Sequence, residues 1–239
     1  MLSKQAISSI AIFKDLTTKQ LTYLQKIAKI HHYKKGALFF NSSQFPKKFF
    51  YILTGAVKLF RESLDGSEVI ISILDNRHYF AESFIFSTAE TPYQAKTLVP
   101  TQLITLPIKG VKKIIYENSQ IALMLLKDSF KVRQQLIQEN EHLIIQTADQ
   151  RIGYFLLKIC NSKNKKNVQL RLPYEKNILA SRLGMKAETF SRALLKLSKR
   201  CHIQLKGNLL FISNIEEIKL YVCQKCSQRF PSVGAISKI

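Results

Sequence analysis

Between Ala187 and Leu197 the chain reads AETFSRALLKL. Residues three and four apart share a helical face, so Glu188, Ser191 and Arg192 project together while Ala187, Phe190, Leu194 and Leu197 form the opposite stripe. One face is built for burial and the other for contact. An Arg can donate two hydrogen bonds to O6 and N7 of guanine, a Glu can accept one from N4 of cytosine, and a Ser suits several bases. Lys186, Thr189, Lys196, Lys199 and Arg200 surround these three as candidates for phosphate contacts, which are independent of sequence and sensitive to salt. Taken alone, Glu188 and Arg192 at i and i+4 also fit a solvated surface ion pair, so the elements around them must decide.

Other reactive residues form weaker patterns. Cys223-Gln-Lys-Cys226 is the only CxxC, whereas zinc or iron–sulfur ligation usually takes four ligands. Cys201 and His202 lie upstream, but Cys201 falls at the start of a strand, where a small buried thiol is a common structural choice. No metal site is assigned, and redox pairing of Cys223 with Cys226 is the other reading of that motif. The four cysteines are mostly far apart and do not form a disulfide framework. His31 and His32 are adjacent on what reads as a loop. No Gly-rich phosphate loop, GxSxG or HExxH is present, so the chain is not expected to be an enzyme.

Charge narrows the class of partner. Of 37 Lys and Arg against 16 Asp and Glu, residues 151–239 hold 18 against 4, while residues 1–150 hold 19 against 12. A basic excess gathered into the last third of the chain favours a polyanion. No apolar run approaches the roughly 20 residues that span a bilayer, so no membrane partner is expected. The opening MLSKQAISSIAIFKDL lacks the apolar core and cleavage site of a signal peptide and implies a cytoplasmic protein.

The elements that position these residues follow from periodicity. A helix around LTTKQLTYLQKIAK has Thr17 or Thr18 as N-cap. GALFF, FFYILTG, VKLFRES, SEVIISIL, YQAKTLVP and QLITLPI are strand-like runs, with Asp65-Gly66 as a tight hairpin signal, and together they imply a sandwich or barrel. From Ser119 to Asp149 no Pro or Gly interrupts a helical period. Phe130, Ile137 and Ile144 recur every seven residues, as do Leu136 and Leu143, with Asn140 beside them. This seam suits a parallel homodimer in preference to a helix packed on its own sandwich. RIGYFLLKICN reads as a further helix and NSKNKKN as a polar loop. A helix at YEKNILASRL, a break at Gly184, the helix of AETFSRALLKL and a hairpin turning at Gly207-Asn208 then describe a winged helix-turn-helix. In that motif the second helix enters the major groove, which gives Glu188, Ser191 and Arg192 their role as base readers.

The order KGALFF, FFYILTGAVKLFRE, DGSEVIISIL, FAESFIF and LASRLGMKAETFSRALLKL resembles the CRP/FNR superfamily of bacterial transcription regulators over roughly residues 12 to 220. The resemblance implies an α+β chain: an N-terminal β-roll, a cyclic-nucleotide-binding-like jelly roll, over residues 1–118; a long dimerisation helix over 119–149; and a C-terminal winged helix-turn-helix domain over 150–239. It also implies a homodimer on a two-fold symmetric double-stranded DNA operator, working with RNA polymerase. The Glu, two residues, Ser, Arg pattern is that of the FNR-type subgroup, associated with TTGAT half-sites as an inverted repeat. In the CRP-type pattern an Arg precedes the Glu and a Gly replaces the Ser, whereas Ala187 and Ser191 stand here.

The resemblance also frames the effector. Members that bind cyclic AMP carry F-x-G-E and, about ten residues later, Arg-Ser-Ala. This chain has Phe80-Ala81-Glu82-Ser83 and then Tyr93-Gln94-Ala95, with the phosphate Arg replaced by Tyr93 or Pro92. Glu82, Ser83, Tyr93 and Gln94 are therefore the candidate pocket residues, and cyclic AMP is not the expected ligand. No cysteine precedes Cys160, which argues against an FNR-type iron–sulfur cluster. GMKAETFSR is similar to the haem-dependent dissimilatory nitrate respiration regulators, which makes haem a candidate cofactor with His31 or His32 as axial ligand. Regulation with no small ligand is the other alternative. A basic binding module without sequence-specific DNA recognition is the alternative of a different class.

Overall fold

A computed structural model of the chain describes residues 4–8, 10–41, 44–64, 66–87, 91, 93–160 and 165–223. It divides into two compact units, Met1–Arg133 and Gln134–Ile239.

The first unit begins with α1 (Lys4–Ser8), a 3-10 turn at Ala11–Phe13 and α2 (Thr18–Ile27). Thr17 caps α2 through a capping box with Gln20, each side chain meeting the other's backbone N–H. Strands β1 (Lys29–Tyr33), β2 (Leu38–Phe40), β3 (Lys48–Thr54), β4 (Val57–Glu62), β5 (Glu68–Leu74) and β6 (Tyr79–Phe80) follow. After a 3-10 turn at Glu82–Ile85 come β7 (Gln94–Thr97), β8 (Thr101–Pro107), α3 (Ile108–Glu117) and α4 (Ser119–Ile145). Two four-stranded antiparallel sheets result, ordered β1-β8-β3-β6 and β2-β7-β4-β5. Their inner faces enclose Phe40, Phe50, Phe80 and Leu103, with Phe50 stacked on Phe80 at 4.7 Å between ring centroids, while Phe49 and Leu106 are paired on the opposite face of β3 and β8, Phe49 against Phe13. The β-rich runs sit where the sequence places them. Four helices and strands of this unit, β1, β6, α1 and α3, have no counterpart among the elements expected from the sequence. His31 and His32 lie in β1 and not on a loop, because β1 pairs with β8 along its whole length. Asp65 and Pro92 lie outside the described residues; Gly66, at φ +78°, takes the positive angle the hairpin signal required.

The second unit takes in the C-terminal part of α4, from Gln134 onward. It contains α5 (Ala148–Ile159), β9 (Lys166–Arg171), α6 (Lys176–Arg182), α7 (Ala187–Arg200), β10 (Ile203–Lys206), β11 (Leu209–Asn214) and α8 (Ile215–Cys223). Its sheet runs β10-β11-β9. Its core gathers Ile152, Leu156, Leu179, Phe190, Leu194, Leu197, Leu210, Ile212 and Ile218. The helical period was expected to continue to Asp149, but α4 stops at Ile145. The reason is local: Thr147 and Gln150 form a capping box that starts α5. The polar run NSKNKKN was expected to be a loop throughout, yet Lys166 and Asn167 open β9, the third strand of the wing sheet.

Candidate nucleic-acid interface

The turn between α6 and α7 depends on Gly184. Its φ is +64°, and a Cβ there would lie 3.3 Å from Leu143 Cδ2. Both facts favour glycine, since L side chains rarely adopt that angle. Lys186 is the N-cap of α7, in extended conformation.

On α7, Phe190, Ala193, Leu194, Leu197 and Ser198 are buried, while Glu188, Ser191, Arg192, Leu195, Lys196, Lys199 and Arg200 are exposed. Thr189 is half-buried, and Ala187, expected on the buried stripe, is exposed because it lies at the first turn, beyond the reach of the core. No hydrogen bond or ion pair among the described residues ties down the side chains of Glu188, Ser191 or Arg192. The surface ion pair between Glu188 and Arg192 is not formed, so both remain available to a partner.

The five phosphate candidates divide. Lys186 and Lys199 are exposed and have no partner among the described residues. Lys196 Nζ lies 3.1 Å from Asp149 Oδ2, and the Arg200 guanidinium sits 4.9 Å over the Tyr221 ring. These two cations also have a structural task. Asp149 is buried, and its carboxylate accepts from the Tyr221 hydroxyl, Thr147 and Lys196. Burial alone would raise its pKa, but those hydrogen bonds outweigh it and hold the carboxyl below the usual range. Burial, then the bond to Asp149, pushes Tyr221 up to about 12. A second tie joins α4 to α6: Arg182 Nη2 donates to both oxygens of Glu139 at 2.9 and 2.8 Å, with Lys158 Nζ at 3.5 Å.

The expected seam residues on α4, Phe130, Leu136, Ile137, Leu143 and Ile144, are all exposed, with Ile144 at 76 %. Asn140 is exposed beside them. Leu123 and Leu126 are exposed too and had been missed. Leu123, Leu126, Phe130, Ile137 and Ile144 follow the alternating three-and-four spacing of a coiled-coil seam, with Arg133 and Asn140 completing the register. Leu143 also approaches the α6–α7 turn at Gly184.

In the β-roll, Ala81 takes the left-handed conformation with φ +66°, so alanine here keeps a backbone geometry that favours glycine. Burial raises the Glu82 carboxyl above its usual range. Tyr93 is pushed up to about 12 by burial and then by the Glu82 charge, while hydrogen bonds to Ser83 and the Ala81 backbone pull the other way. Glu82, Ser83 and Tyr93 are thus brought together. Gln94 opens β7 and is half-buried. No Lys or Arg occurs from Phe80 to Gln94. Of the two histidines, His32 is exposed, while His31 Nε2 is buried with no hydrogen-bond partner. His31 supplies one inward nitrogen, which by itself does not define a haem site. Cys201 is buried at the end of α7, and burial first of all pushes its thiol up to about 11. Cys226 and the side chain of Cys223 lie outside the described residues, and among the described residues no His, Cys, Asp and Glu cluster can hold a metal. No helix among them is long and apolar enough to cross a membrane.

Comparison with known proteins completes the picture. The cyclic nucleotide-binding domain family matches residues 30–118, and the Crp-like helix-turn-helix domain family matches residues 150–221. The nitrogen fixation regulation protein FixK of Rhizobium meliloti is 28 % identical over 178 residues, 73 % of this chain and 77 % of that protein. The CRP-like cAMP-activated global transcriptional regulator of Mycobacterium tuberculosis is 21 % identical over 217 residues, 90 % of this chain and 97 % of that one. The structure of FixK2 from Bradyrhizobium japonicum shares the fold, with a TM-score of 0.68 at 19 % identity over 81 % of this chain and 96 % of that one.

Proposed function

The chain belongs to the CRP/FNR superfamily of transcription regulators, and from that premise we propose that it is a homodimer reading an inverted-repeat TTGAT-like operator. The observation that carries this reading is the outward arc of α7. Glu188, Ser191 and Arg192 are presented side by side with no partner of their own, on a helix anchored by Phe190, Leu194 and Leu197. Arg192 and Glu188 then read base edges, Ser191 joins them, and Lys186, Thr189 and Lys199 meet phosphates. Lys196 and Arg200 contribute mainly positive field, since each has a partner within the domain.

Dimerisation places the exposed α4 seams together, with Asn140 fixing register. The regulatory signal at the β-roll is something other than cyclic AMP. Tyr93 or Pro92 stands where the resemblance puts the phosphate-binding arginine, the Tyr93 hydroxyl is hydrogen-bonded to Ser83 and Ala81, and no cation from Phe80 to Gln94 would neutralise a cyclic phosphate. The regulator works in the cytoplasm with RNA polymerase.

Selection of tight-binding duplexes from a random pool by the purified full chain tests the reading. The expected outcome is an enriched inverted repeat whose half-site centres lie about one helical turn apart, roughly 10 base pairs, unchanged in affinity by cyclic AMP. Recovery of no motif, or of an asymmetric one, contradicts the operator. A large gain in affinity with cyclic AMP contradicts the choice of signal and favours a cyclic-nucleotide-dependent regulator.

A further inference from the structure

One residue on the base-reading arc has no role yet. Leu195 is 52 % exposed and belongs to neither the buried core of its unit nor the half-buried residues packed against it. At 3.6 residues per turn it lies about 20° around the helix axis from Glu188 and about 40° from Ser191, inside the arc that Glu188, Ser191 and Arg192 define. Its neighbour Lys196, on the far side of Arg192, turns back to Asp149. Leu195 is therefore an apolar side chain standing among hydrogen-bonding ones, on a face with no apolar surface of its own unit to cover it. In the major groove the one apolar feature of a base edge is the 5-methyl group of thymine.

We propose that Leu195 is a fourth base-reading residue that packs on a thymine methyl group. This rests on the operator reading above. One turn further along α7 than Ser191 and Arg192, it would extend the sequence read by α7 beyond the bases contacted by those two. Because the contact is apolar, its contribution is insensitive to salt, unlike that of Lys199.

The test uses the full chain, wild type and Leu195→Ala, with a duplex carrying TTGAT, four bases and ATCAA, in which thymines are replaced one symmetric pair at a time by deoxyuridine. That change removes only the methyl group. Burial of one methyl corresponds to about a fourfold change in affinity. At one thymine pair wild type should lose about that factor per contacted methyl, and Leu195→Ala should lose nothing further. Thermal melting of both proteins shows that the exposed substitution leaves the fold intact. Equal losses for the two proteins at every thymine overturn the proposal. If wild type fails to prefer the unmodified duplex over a scrambled one, the operator reading itself has failed and the proposal falls with it, a result the deoxyuridine series cannot mimic.

Discussion

Asp149 shows how one side chain organises the DNA-binding unit. A buried carboxylate without partners would be costly, and here Tyr221, Thr147 and Lys196 supply them. Since its folded pKa is lowered, the stability it confers is fully present above the ordinary carboxylate value, about 3.9, and is lost as pH falls through the lower folded value. Asp149→Asn should therefore melt at a lower temperature at neutral pH, by the equivalent of about 1–3 kcal/mol. The gap to wild type should narrow below about pH 4. Paired melts from pH 7 to pH 3 check this, and a constant gap would remove the clamp from the account. Asp149 and Tyr221 are 72 positions apart, so no local pattern in the sequence joins them. Glu188, Ser191 and Arg192 were legible for the opposite reason: a 3.6-residue period places them together whatever the rest of the chain does. Leu195 belongs to the same arc, but a leucine among Ala193, Leu194 and Leu197 reads as core until burial separates them.

At the level of elements, α7 is held in place by its apolar side and aimed by the turn before it. Phe190 is fully buried among Leu194, Leu197 and their neighbours. Phe190→Ala should cost about 3–5 kcal/mol in chemical denaturation, with DNA binding lost only as the domain unfolds. Gly184→Ala carries two separable penalties, the positive φ and the approach to Leu143. Adding Leu143→Ala to Gly184→Ala should recover the steric part and leave the backbone part, about 1–2 kcal/mol. Full recovery, or none, would contradict that division. The helix-turn-helix was readable from Gly184 and the two flanking periods. β9 was hidden because Val168 and Leu170 are its only apolar residues, set among Lys166, Asn167, Gln169 and Arg171 after a polar run, and its pairing with β11 makes it a strand. The end of α4 was readable in Thr147 and Gln150, yet the apolar period running through it masked the cap.

Across the whole molecule, charge acts together with the proposed two-fold symmetry. The surplus of Lys and Arg lies in residues 151–239, a charge that favours any duplex; on the proposed reading, Glu188, Ser191 and Arg192 on two copies of α7 convert that attraction into choice. The central claim is this separation between choice and attraction. Its most direct measurement is a fluorescence-anisotropy titration of wild type, Arg192→Ala and Lys199→Ala against a TTGAT inverted-repeat duplex and a scrambled one, at two salt concentrations. Arg192→Ala should lose about 1–3 kcal/mol of affinity per reading contact on the operator and little on the scrambled duplex. Lys199→Ala should weaken both duplexes alike and reduce the salt slope by about one per contact. Equal losses on both duplexes for both variants would contradict the assignment of Arg192 to bases and Lys199 to phosphates.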